Sequence, residues 1–262
     1  MKKLITIIFA FIFSTSIAFA QNDATITQTG SNADATINQT GSNEATINQA
    51  TSGITQFVST INQIGENNKA TTNLTASGSM THKGVSTAQT QEGDNNNATI
   101  EANGSPGMNV TQYQKGDANE AIAVAKHNAD VKQEQIGNNN YAEADLVGKG
   151  VHTTQIQEGN ENSATMYSGK SSVGVTYQEQ IGDNNSSDIL SFASRGSARS
   201  YVDTYQEGDF NTATVEVNAV GNNADIDQIG NMNEALITFG SEFNTATVHQ
   251  NGNSNTATIT QY

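Results

Sequence analysis

Gln157-Glu158-Gly159-Asn160-Glu161-Asn162-Ser163-Ala164-Thr165-Met166 decides the fold, because nearly the same segment returns throughout the chain. Its triplet Gln-x-Gly opens at Gln28, Gln39, Gln63, Gln91, Gln114, Gln135, Gln157, Gln180, Gln206, Gln228 and Gln250. It closes at Gly30, Gly41, Gly65, Gly93, Gly116, Gly137, Gly159, Gly182, Gly208, Gly230 and Gly252. From Gly41 onward most steps are 21 to 24 residues, whereas Gly30 to Gly41 is half a step. A period of this size marks a stacked-repeat architecture.

Three residues after the glycine stands an asparagine: Asn68, Asn96, Asn119, Asn140, Asn162, Asn185, Asn211, Asn233 and Asn255. Two residues further on the position is small, as in Ala70, Ala98, Ala121, Ala142, Ala164 and Ser187. Alternation continues through Ile100, Met166, Ile189, Val215, Ile237 and Ile259. Period two means a strand with one buried face. A second strand, such as Val131-Lys132-Gln133-Glu134-Gln135, leads into the next triplet, where Gly and Asn make the turn. The expectation is an all-β solenoid of about ten strand-turn-strand coils of ~23 residues, with two stacked parallel sheets of cross-β, amyloid-like character. At ~4.8 Å per coil the rod would be roughly 50 Å long.

Composition agrees with a thin core. Of 262 residues only 34% are apolar and 14% charged, with one Pro and no Cys or Trp. A compact enzyme of this length spends nearly half its residues on apolar side chains, and disordered chains carry more charge and Pro. Asn and Gln, about a fifth of the chain, fill the difference. Stacked in register, identical amides link into ladders. Gln89, Gln112, Gln133, Gln155 and Gln178 form a second inward column in five successive coils. A buried amide left unstacked would cost about 1–3 kcal/mol.

Lys2 and Lys3, the apolar run Leu4 to Phe13, and Ala18-Phe19-Ala20 read as a secretory signal peptide over 1–20, leaving a repeat domain over 21–262. A membrane anchor is the rival, but the run falls short of the ~20 residues a span requires. Loss of Lys2 and Lys3 takes the net charge from −15 to about −17. That balance disfavours nucleic acid and anionic membranes, which call for basic patches. No membrane insertion is expected.

The unit Gln-x-Gly-x-x-Asn-x-Ala-x-(Ile/Val) resembles the curlin repeat of bacterial curli fibre subunits, over 24–262. The ending Thr258-Ile259-Thr260-Gln261-Tyr262 is similar to that of the major subunit. The resemblance implies export through an outer-membrane pore and nucleated assembly into functional amyloid, a fimbrium-like cell-surface fibre of biofilm matrix and adhesion. It implies self-association, with a second curlin subunit as nucleator. It casts the Gln, Gly, Asn and Ala of each repeat as ladder and turn positions. The repeats are about twice as many as in the familiar subunits, and no non-repeat targeting segment stands between Gln21 and the first repeat.

Alternatives stay open: a minor, nucleating subunit, or a monomeric solenoid adhesin. Ice binding requires a flat Thr array, which Ile122, Glu143 and Asp188 interrupt. His82, His127, His152 and His249 lack metal-ligand spacing, and Asp94, Asp117, Asp183 and Asp209 read as turn caps rather than calcium ligands. No catalytic constellation stands out; neither enzyme activity nor a cofactor or metal is expected. Segments 50–60, 71–88, 101–109 and 191–203, with Pro106, Arg195 and Arg199, depart from the pattern and are expected to bulge as loops.

Overall fold

A computed structural model describes residues 21–30, 32–52, 56–77, 84–103, 107–169, 174–192 and 198–262. The expected signal peptide, His82, Pro106 and Arg195 lie outside these residues. The described chain is all strand and turn. It opens with β1 (Asp23–Thr29), β2 (Ala33–Ser52), β3 (Phe57–Ser77), β4 (Val85–Glu92) and β5 (Asn97–Asn103). The middle coils are β6 (Met108–Lys115), β7 (Glu120–Lys126), β8 (Asp130–Ile136), β9 (Tyr141–Leu146), β10 (His152–Glu158) and β11 (Ser163–Ser168). They continue as β12 (Gly174–Ile181), β13 (Ser186–Ser191), β14 (Ser200–Glu207) and β15 (Thr212–Val217). The last coils are β16 (Asn223–Ile229), β17 (Glu234–Phe239), β18 (Thr245–Asn251) and β19 (Thr256–Gln261).

Each strand pairs in parallel with the strand one coil away, giving a β-solenoid of about nine turns with two faces. The glutamine face stacks the first halves of β2 and β3 with β4, β6 and the even strands to β18. The alanine face stacks β1, the second halves of β2 and β3, and the odd strands from β5 to β19. The two faces belong to one 19-stranded sheet, because β2 and β3 run unbroken around the corner between them. Nine spacings of ~4.8 Å separate Gly41 from Gly252, about 43 Å.

Alternation sets what is inside. In one coil Val151, Thr153, Gln155 and Gln157 point inward from the glutamine face, opposite Ala164, Met166 and Ser168. Ile100, Ile189, Val215 and Ile237 are also fully buried on the alanine face. Small residues facing long amides let the two layers close, so a single side chain from each face spans the core.

Two sequence expectations change. The triplet Gln28-Thr29-Gly30 does not share a column with the others, since Gln28 stacks on Gln49 of the alanine face. The half-length step to Gly41 is this half-turn offset. Parts of the segments expected to bulge are strand instead: 71–77, 85–88, 101–103 and 200–203 lie in the ladder, and 78–83, 104–106 and 193–197 lie outside the described residues.

Candidate ladders and rod ends

The corner of each repeat is made by its glycine. From Gly41 to Gly252 these glycines hold φ between 103° and 122°, where side chains are strongly disfavoured. A Cβ on Gly137 would lie 1.9 Å from the Gly159 carbonyl oxygen of the next coil. Glycine thus permits both the turn and the approach of successive corners. Two residues later, from Gly65 onward, comes a left-handed residue; Asn holds it in four coils, with φ of 56° to 58° at Asn67, Asn95, Asn139 and Asn184.

Gln63, Gln91, Gln114, Gln135, Gln157, Gln180, Gln206, Gln228 and Gln250 form one buried column. From Gln39 to Gln228 each Nε2 donates to Oε1 of the next at 2.7–2.9 Å. The other amide hydrogen crosses to a carbonyl of the alanine-face strand, as Gln135 Nε2 does to Glu120 O at 2.9 Å. Each interior glutamine therefore satisfies both donors and its acceptor without water.

Asn68, Asn96, Asn119, Asn140, Asn162, Asn185, Asn211, Asn233 and Asn255 form a second column, polarised the other way. Each backbone N–H donates to Oδ1 of the preceding Asn at 2.9–3.1 Å. From Asn68 to Asn233, each Nδ2 reaches the corner glycine carbonyl of the following coil at 2.6–2.8 Å. The acceptors run from Gly93 and Gly116 to Gly230 and Gly252, and Ala70 and Ala98 sit buried beside this turn.

Gln89, Gln112, Gln133, Gln155 and Gln178 make the third column, linked at 2.8–2.9 Å. It replaces the Ile37 and Ile61 of earlier coils and ends before Thr204, Ile226 and Val248. Hydroxyls close both ends: Thr72 Oγ1 donates to Gln89 Oε1 at 2.8 Å, and Gln178 Nε2 donates to Ser187 Oγ at 3.0 Å. The hydroxyl closures were not among the sequence expectations; Thr72 and Ser187, each interrupting an apolar or Ala column, were the available signal.

Asp and Asn residues after the glycine form an outer column. Asp117 Oδ1 accepts from Asp94 N at 2.9 Å, and Asp209 Oδ1 from Asp183 N at 2.9 Å. His152 and His249 each meet one aspartate, Asp130 and Asp227, at 2.9 and 2.8 Å. Among the described residues no group of three or more His, Cys, Asp or Glu is placed to hold a metal ion. No helix among them is long and apolar enough to cross a membrane.

The rod ends are strand edges. All of β1 is exposed, and β19 alternates exposed and half-buried. Gln39, first of the main column, has no preceding coil in the column to fill its Oε1. Gln250, the last, directs Nε2 to Glu234 O at 3.0 Å and has no glutamine beyond it. One end thus presents an acceptor and the other a donor.

The sequence model of the curlin-associated repeat matches residues 19–41, 198–230 and 242–262. These three regions carry the curlin-associated repeat. The matched regions lie at the two ends, and strand register carries the same Gln, Gly, Asn and Ala columns through the coils between them. The middle coils differ from the matched ones chiefly in the third glutamine column. No curated protein matches the chain.

Proposed function

We propose that this curlin-repeat chain is a secreted structural subunit of a curli-type functional amyloid fibre, polymerising end to end at the cell surface for biofilm matrix and adhesion. The observation that carries this is the polarity of the rod ends. Unpaired strand edges template further strands, and here each edge also continues a glutamine column, donor at one end and acceptor at the other. Non-polymerising solenoids close such ends with polar caps; β1 and β19 are instead repeat strands. The Gln, Gly and Asn columns act as register keys, because a displaced copy would bury unpaired amides. A secretion pore and a nucleating second subunit are the partners this reading implies. No catalysis is required. The acidic outer face, about −17 after removal of residues 1–20, keeps chains apart before assembly.

The test uses purified protein beginning at Gln21, followed by amyloid-dye fluorescence, electron microscopy and fibre diffraction. Fibres after a lag, with a ~4.8 Å meridional reflection, are the expected result. Persistent monomer would overturn the reading.

A further inference from the structure

The rod begins and ends on the same face. β1 and β19 are both alanine-face strands, so that face holds one strand more than the glutamine face. Parity then limits how two copies join. If a second copy laid its β1 on β19, its residues 33–41 would lie two spacings from β18, ~9.6 Å instead of ~4.8 Å. The glutamine face would lack one strand at every joint, and its ladder would break there. A gapless joint sets residues 33–41 on β18 and residues 44–50 on β19. Yet the edge of 44–50 is already covered by β1 of its own chain.

The covering strand copies its competitor. Residues 24–28 and residues 257–261 both read Ala-Thr-Ile-Thr-Gln. β1 sets Ala24 on Ala45, Ile26 on Ile47 and Gln28 on Gln49, and β19 carries Ala257, Ile259 and Gln261 at the same places. Gln28 Nε2 donates to Gln49 Oε1 at 2.8 Å, and Asn43 N donates to Asn22 Oδ1 at 3.1 Å. Gln261 and Asn255 hold the equivalent positions at the far end. Gln261 Oε1 is buried without a partner, since Phe239 occupies its column in the preceding coil. The two strands differ at two inter-strand contacts: Thr29 beside Ala50, where β19 would bring Tyr262, and the charged pair at their start. Asp23 stands directly beside Glu44, whereas β19 would bring Thr256 there. Like charges opposite one another weaken a strand pair, although Lys69 Nζ draws Glu44 to 3.2 Å.

Resting on the fibre reading, we propose that β1 is a displaceable internal mimic of β19. In the free subunit it covers the docking edge of residues 44–50. At each joint a second copy's β19 replaces it, and β18 then pairs with residues 33–41. On the alanine face the exchange trades like for like, with the Asp23–Glu44 contact relieved. The net gain is the new glutamine-face pairing, including a Gln250-to-Gln39 amide link. Residues 21–30 leave the rod at every joint.

The experiment locks β1 in place. Thr25 and Thr46 are partners in register and face outward, and the chain has no cysteine. Thr25→Cys with Thr46→Cys, oxidised, should lose seeded elongation, and reduction should restore it. Equal elongation in both states overturns the displacement and leaves the fibre reading standing. Failure of the unmodified protein to form fibres overturns the fibre reading and this proposal with it. Ile26→Asp, which loosens β1 without touching β19, gives an independent sign: it should shorten the lag several-fold. A lag that stays the same or lengthens would show β1 to be part of the joint, and would overturn the proposal.

Discussion

Gln155 Nε2 donates to Gln178 Oε1 at 2.9 Å across 23 residues of sequence, and both side chains are fully buried. A polar side chain is held in the core only because its copy in the next coil meets it there. The same condition makes the fold register-specific.

Replacing Gln133 and Gln155 with Glu removes two donors and places adjacent carboxylates in that column. Burying unpaired charge costs several kcal/mol per group. Loss of fibre formation at pH 7, with partial recovery on acidification as the carboxyls become neutral, is expected in the dye assay. An unchanged rate would contradict the assignment of this column to the assembly-competent core.

Two glycine substitutions separate conformation from crowding. Gly150 has φ of 63° and nothing within 4 Å of an added Cβ, so Gly150→Ala should cost about 1–2 kcal/mol from backbone strain alone. Gly137→Ala adds a clash with the Gly159 carbonyl at 1.9 Å and must distort two corners. Its denaturation midpoint should fall well below that of Gly150→Ala; equal midpoints would show that the corners are not closely stacked.

Burial, then the carboxylates of Asp225, Glu179 and Asp227, push the Asp203 carboxyl above its ordinary value of 3.8. The fold therefore binds this proton more tightly than the unfolded chain does. The resulting stabilisation is complete below the ordinary value and is lost as pH rises through the raised one. Asp203→Asn should accordingly raise Tm relative to the parent at pH 7, with the advantage shrinking on acidification. A constant difference across that range would rule out this linkage.

Phe210 occupies a left-handed corner, φ 59°, with 58% of its surface exposed. Equivalent corners hold Asn67, Asn95, Asn139 and Asn184. Phe210→Asn should stabilise the subunit by about 1 kcal/mol, since Asn tolerates this conformation and little packing is lost. Thermal unfolding of the two proteins checks it; a lower Tm would mean that Phe210 makes a contact worth more than its strain.

The columns were legible because a solenoid turns sequence period directly into spatial neighbours. Once Gly137 and Gly159 are 22 residues apart, Gln135 and Gln157 must stack, as must Asn140 and Asn162. The placement of Gln28 was legible only in part. The half-length step from Gly30 to Gly41 marks its triplet as out of phase, but only strand pairing shows that it stacks on Gln49 of the alanine face. The hydroxyl closures by Thr72 and Ser187 were hidden for a similar reason: each acts on a residue of the opposite face, through a contact with no fixed sequence separation.

By itself the sequence determined the repeat, the inward and outward sides of each strand and the residues at each corner. These follow from periods of two and about 23, which need no knowledge of the other face. Only the tertiary structure decided which face each strand joins, and so the parity of the rod. That parity is a count of half-turns from end to end. It determines that β1 covers the edge β19 would need, a relation between residues at opposite ends of the chain that local pattern cannot express.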